Sequence, residues 1–280
     1  MNHKNYVLNR HNTKPMLWDA FFKEDQMKKP VVIFCHGYKG FKDWGSWDLV
    51  AEAFRKQGLF FVKFNFSHNG GTMENPIDFP DLNAFAENNY TKELDDLNDM
   101  IDFIVSKGFP FKNEIDTENI TLIGHSRGGG ISIIKASEDS RIKRLITWAS
   151  VSDFGSRFGS AESIQQWEND GVKYVINGRT KQEMPHHYQF YEDFLHNTER
   201  LNIKRACLKL NIPFLIVHAT EDPSVTFEAA LNLSSWCPKA KLLEIKGSNH
   251  VFGASHPWNA TNLPNDLNQV VENSIKFIKN

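Results

Sequence analysis

A hydroxyl, a carboxylate and an imidazole that could share one proton stand in three separate stretches of this chain. Ser126 lies in Gly124-His125-Ser126-Arg127-Gly128, Asp222 in Ala219-Thr220-Glu221-Asp222-Pro223, and His250 in Gly247-Ser248-Asn249-His250-Val251-Phe252-Gly253. A serine hydroxyl is a poor nucleophile near neutral pH, so it needs a base to take its proton and an acid to orient that base. Serine, then acid, then histidine is one of the chain orders in which such groups meet.

The serine is the organising residue. Asn119-Ile120-Thr121-Leu122-Ile123 is a largely apolar, β-branched run, and small residues follow Ser126 as a helix opens, so the serine is expected on a sharp strand-to-helix turn. Only glycine two places before and two places after such a residue leaves room for the neighbouring strand and helix, and Gly124 and Gly128 fill those places. The turn also sets the first N–H groups of a helix beside the serine oxygen, where negative charge is stabilised. Arg127 is expected to supply its backbone N–H there, its side chain being incidental. The second donor for an oxyanion is expected from the N–H of Tyr38, in the glycine-flanked His36-Gly37-Tyr38-Lys39-Gly40.

Asp222 is the preferred acid because it follows the run Phe214-Leu215-Ile216-Val217-His218 after a short polar turn, with Pro223 stiffening the exit; Asp153 and Glu221 are the alternatives. His250 is the preferred base because it sits in a loop directly after the last strand, flanked by glycines; His256 is its nearest competitor. His36 and His125 read as braces for loops. His186 and His187 are adjacent and lack carboxylate or thiolate partners at ligand spacing, so no metal site is expected.

The elements that must position these groups follow from pattern. Residues 4–9 and 15–23 read as an opening strand pair. Pro30-Val31-Val32-Ile33-Phe34-Cys35 is a continuous apolar run, the mark of a strand covered on both faces of a mainly parallel sheet. Further strands are expected over 59–66, 144–149, 212–218 and 241–245, with helices over 47–57, 91–107 and 266–278 and a long loop over 67–90. On the helix 91–107, the acids Glu93, Asp95, Asp96, Asp99 and Asp102 read as a solvated outer face. Residues 153–210 are too long for a simple crossover, polar and rich in aromatics such as Phe154, Phe158, Trp167 and Phe190. They are expected to form an inserted cap of short helices and loops over the strand ends, with 1–152 and 211–280 as the core of a single domain.

Composition excludes several classes. With 32 basic and 34 acidic residues, net charge −2, no field drives the chain onto nucleic acid or anionic lipid. Cys35, Cys207 and Cys237 have no metal-ligand or redox spacing and read as buried free thiols. No apolar run reaches signal-peptide or membrane-spanning length, so a cytoplasmic protein without a membrane partner is expected.

Taken together, His36-Gly37-Tyr38, Gly124-His125-Ser126-Arg127-Gly128, Asp222 within His218-Ala219-Thr220-Glu221-Asp222-Pro223-Ser224-Val225, and Asn249-His250-Val251-Phe252 resemble the α/β-hydrolases. Within these they are similar to the dienelactone-hydrolase-like and cinnamoyl (feruloyl) esterase-like branches, from the first central strand to the final helix. The resemblance implies an eight-stranded, mostly parallel sheet, a Ser126-Asp222-His250 triad, no cofactor, and hydrolysis of a small-molecule carboxylic ester through an acyl-enzyme. Dienelactone hydrolase itself carries a cysteine where this chain has Ser126. The competing expectations are a thioesterase or amidase on the same triad, for which Lys173, Arg179 and Lys181 offer scattered positive charge, and a non-catalytic binding protein on this fold.

Overall fold

A computed structural model describes residues 2–11 and 13–280. In chain order the strands are β1 (Asn2–Leu8), β2 (Met16–Phe21), β3 (Lys29–Cys35), β4 (Phe60–Phe64), β5 (Ile115–His125), β6 (Ile142–Trp148), β7 (Val172–Ile176), β8 (Glu183–His187), β9 (Phe214–Ala219) and β10 (Ala240–Ile245). The α-helices are α1 (Trp47–Lys56), α2 (Leu82–Ala86), α3 (Tyr90–Val105), α4 (Arg127–Glu138), α5 (Ala161–Asp170), α6 (Gln189–His196), α7 (Ile203–Lys209), α8 (Glu228–Trp236) and α9 (Asn265–Lys279). Eight strands form one sheet in the order β1-β2-β4-β3-β5-β6-β9-β10. The β1–β2 and β2–β4 pairs are antiparallel and every later pair is parallel.

Successive residues of a strand face opposite sides, so a central strand with helices on both faces must be apolar throughout. β3 divides its side chains in this way: Val31, Ile33 and Cys35 enter one core, Val32 and Phe34 the other. The first core is closed by α3, α4, α7 and α8 through residues such as Leu97, Ile131, Cys207 and Leu233. The second is closed by α1 and α9, where Val50 and Phe54 meet Val270 and Val271. Burying a side chain of this size contributes on the order of 2 kcal/mol. All three cysteines are buried and free. No helix is long and apolar enough to cross a membrane among the described residues.

A buried ionic cluster anchors the loop between β3 and α1. Asp19, Lys42 and Lys63 have fully buried side chains, and the two ammonium groups contact Asp19, Asp43 and Asp48 at 2.5–2.9 Å. The three carboxylates converge closely enough to resemble a cation site; the cations among them are the two lysines. The backbone N–H of Lys42 also donates to Asn65 Oδ1 at 2.6 Å. The loop carrying Tyr38 is thereby tied to β2 and to the end of β4.

Three expectations change. Residues 67–90 contain α2, which opens where the Asp81 carboxylate accepts the Ala84 N–H at 2.9 Å, a side-chain cap that lets a five-residue helix form. The acids of α3 do not all face solvent: Glu93 and Asp96 are buried, since they lie four places before Leu97 and Met100 respectively, on the flank of the apolar stripe. Residues 153–210 are not helices and loops alone, because β7 and β8 pair as an antiparallel hairpin.

Candidate active site

Ser126 occupies the turn between β5 and α4 with φ +56° and ψ −118°, a left-handed backbone that a side-chain-bearing residue adopts only under constraint. The constraint is visible around it. A Cβ on Gly124 would stand 2.2 Å from the Gly128 carbonyl oxygen, and one on Gly128 would stand 2.4 Å from the His36 carbonyl oxygen. Neighbouring backbone therefore packs against the turn at distances only glycine permits, and the Ser126 N–H is held by the Trp148 carbonyl at 2.9 Å.

The Ser126 Oγ lies 3.0 Å from His250 Nε2, and His250 Nδ1 lies 2.7 Å from Asp222 Oδ2. An ionised carboxylate only accepts, so His250 Nδ1–H donates to Asp222 and Nε2 is left to accept the Ser126 hydroxyl proton. The other Asp222 oxygen accepts the N–H groups of Ser224 (2.8 Å) and Val225 (2.9 Å). Burial works against ionising this carboxyl, but the His250 bond and the two backbone donors outweigh it and hold it below the usual aspartate range. The fully buried His218, 3.5 Å from Asp222 Oδ2, bonds to the Val225 carbonyl at 2.8 Å and packs the far side of the acid.

The other candidates fall elsewhere. Glu221 and Asp153 are exposed, and Asp153 accepts the Ser156 N–H at 2.6 Å. His256 Nδ1 accepts the Gly45 N–H at 2.8 Å. His36 lies between the Gly37 carbonyl and the Phe66 N–H. His125 Nε2 meets the His250 carbonyl at 3.0 Å, bracing the loop that carries the imidazole. Burial, reinforced by the neighbouring His250, pushes His125 down to about 3, so it stays neutral there.

The loop after β3 reaches the serine: a Cβ on Gly37 would stand 2.8 Å from Ser126 Cβ. The Tyr38 N–H follows in this loop, and the Arg127 N–H opens α4. Neither donates to another group among the described residues.

The Arg127 side chain, expected to be incidental, is only 13% exposed and is organised. Its guanidinium pairs with Glu93 at 3.1 Å and stands 4.4 Å from the ring centre of Tyr38 and 5.2 Å from those of Tyr90 and Phe190. The signal was Glu93 itself: an acid on the apolar flank of α3 requires a buried cation. Tyr38 also has a side-chain role, its hydroxyl sharing a 2.7 Å hydrogen bond with Nε2 of the buried His186.

Ser126 and His250 open into a cavity of about 430 Å³ walled by Tyr90, Phe154, Phe158, Trp167 and Phe190. Of the scattered cations, Lys173 lines it. Arg179 instead pairs with Asp78, and Lys181 donates to the Gly178 carbonyl at 2.7 Å.

A family profile described as the alpha/beta hydrolase fold matches residues 30–179, and the chain belongs to that family. A protein of Mycoplasma genitalium named "Putative esterase/lipase 2" is 29% identical over 124 residues, 44% of this chain and 38% of that protein. The match thus spans well under half of that relative's length. Among solved structures, Est1E from Butyrivibrio proteoclasticus superposes with TM-score 0.68 at 16% identity, covering 99% of this chain and 98% of that one. Alpha/beta hydrolase domain-containing protein 10 from mouse superposes with TM-score 0.71 at 18% identity, covering 98% of each chain. These structures share the fold.

Proposed function

We propose that this chain is a serine hydrolase that cleaves carboxylic esters of small molecules, with Ser126 as nucleophile, His250 as general base and acid, and Asp222 as the group that orients the imidazole. The observation that carries this reading is the continuous chain from Ser126 Oγ through His250 to Asp222, at 3.0 and 2.7 Å. His250 Nε2 takes the hydroxyl proton as Oγ bonds to the acyl carbon, and the carbonyl oxygen gains a negative charge that the N–H groups of Tyr38 and Arg127 receive. Collapse breaks the bond to the leaving oxygen, which takes the proton back from Nε2, and the acyl group remains on Ser126. Water then repeats the sequence through the same imidazole, releasing the acid and restoring the hydroxyl. The aromatic walls of the cavity would seat an apolar or aromatic portion of the ester.

The test is hydrolysis of a series of 4-nitrophenyl acyl esters, including a cinnamoyl-type ester, by wild type and Ser126→Ala. Wild-type turnover that falls by about 10⁴-fold or more in the variant is the expected outcome. Equal turnover by the two would remove Ser126 from the chemistry.

A further inference from the structure

The cavity above Ser126 holds charge that ester cleavage itself does not use. Lys39, Arg127, Arg157 and Lys173 line it, and among the described residues no carboxylate does. Arg127 is matched by Glu93. The other three end on neutral partners. Arg157 Nη1 donates to the Ser224 carbonyl at 3.1 Å, and Lys173 Nζ to the Phe158 carbonyl (3.3 Å) and Ser163 Oγ (3.2 Å), with the Trp167 ring centre 5.6 Å away. The Lys39 ammonium lies 5.0 Å from the ring centre of Tyr38. Basic groups elsewhere, such as Arg141, Arg179 and Arg200, each face a carboxylate.

In a chain of net charge −2 this is a local excess of positive charge. The low-dielectric aromatic walls of the cleft focus such a field. Its neighbours respond accordingly. Burial, then Arg127, Lys173 and Lys39, push His186 down to about 3, and burial with Arg127 lowers Lys39.

We propose that the ester this site takes carries an anionic group, a carboxylate or a phosphate, away from the scissile bond, and that Lys173, Arg157 and Lys39 bind it. Ammonium and guanidinium donors now resting on carbonyl and hydroxyl oxygens gain charge-assisted bonds when such a group enters. The inference rests on the ester-hydrolase reading and adds the charge of the substrate to it.

Mono-4-nitrophenyl glutarate and 4-nitrophenyl pentanoate have acyl chains of the same length and differ by one carboxylate. The ratio of their kcat/KM values is expected to exceed about ten in wild type, a difference of about 1.4 kcal/mol. It should shrink in about 0.5 M salt, where screening acts within roughly 4 Å. In Lys173→Met and in Arg157→Gln it should fall toward one. Arg157 is exposed and Lys39 half-buried, so Arg157→Gln and Lys39→Met carry the test if Lys173→Met folds poorly. A wild-type ratio of one or less, or a ratio unchanged in all the folded variants, overturns the proposal. Titration of Ser126→Ala with glutarate, inorganic phosphate and neutral glutaramide separates the two anion types and does not depend on turnover. If neither ester is cleaved, the hydrolase reading falls; saturable binding of either anion, weakened by Arg157→Gln, still upholds the anion site, and binding of neither overturns it.

Discussion

The hydroxyl of Tyr38 and Nε2 of His186, 148 positions apart in the chain, share a hydrogen bond of 2.7 Å that ties the loop after β3 to the β7–β8 hairpin. Tyr38→Phe keeps the ring beside Arg127 and the backbone N–H but leaves a buried imidazole without this partner. The expected loss is about 1–3 kcal/mol of unfolding free energy in urea titration. Stability equal to wild type would mean the bond contributes nothing net.

Glu93→Ala should cost more, because it strands the largely enclosed Arg127 guanidinium without its buried partner. Removing one partner of a buried pair typically costs about 3–5 kcal/mol. Asp95→Asn, two positions along the same helix but exposed, should lie within about 0.5 kcal/mol of wild type. Similar losses from the two would show that position on the helix is irrelevant.

Asp96 gives a pH dependence of definite sign. Burial, partly opposed by Arg10, raises its pKa from 3.8 to about 6 in the folded chain. Between those values the native state binds more protons than the unfolded state, so this group's contribution falls as pH rises through the window and levels off above about 6. The total is about 3 kcal/mol. The stability of Asp96→Asn relative to wild type should therefore increase from pH 4 to 6; a constant difference would contradict the assignment.

Gly128→Ala tests the close packing at the serine turn. Its Cβ would stand 2.4 Å from the His36 oxygen and 2.5 Å from the Cys35 oxygen, both backbone atoms that cannot swing away. A loss of about 3 kcal/mol or more is expected on thermal or denaturant unfolding. A variant as stable as wild type would show that β3 can retreat from α4.

The sheet was largely legible because central strands need apolar residues on both faces, and runs such as Val31–Cys35 and Phe214–Val217 carry that requirement in one dimension. The expected places of Ser126 and Asp222 were legible because each follows such a run after a short turn, and that of His250 because it follows the last strand, where Leu242, Leu243 and Ile245 stand among charged residues. The β7–β8 hairpin was missed although Val172-Lys173-Tyr174-Val175-Ile176 is rich in β-branched residues; its partner Glu183-Met184-Pro185-His186-His187 has no strand-like pattern, and pairing is a property of two segments. The partners of Glu93 and Asp96 were hidden for a related reason. Arg127 and Arg10 lie 34 and 86 positions away from them, and only the folded chain brings those charges together.

The outermost position of β10 in the sheet has a kinetic consequence. Among the described residues this strand is hydrogen-bonded on one side only, to β9, and His250 hangs from the loop that follows it. Opening of that edge carries the imidazole away from Ser126 while β3, β5 and β6 stay paired in the interior. Heat or denaturant should thus part His250 from Ser126 before the fold is lost.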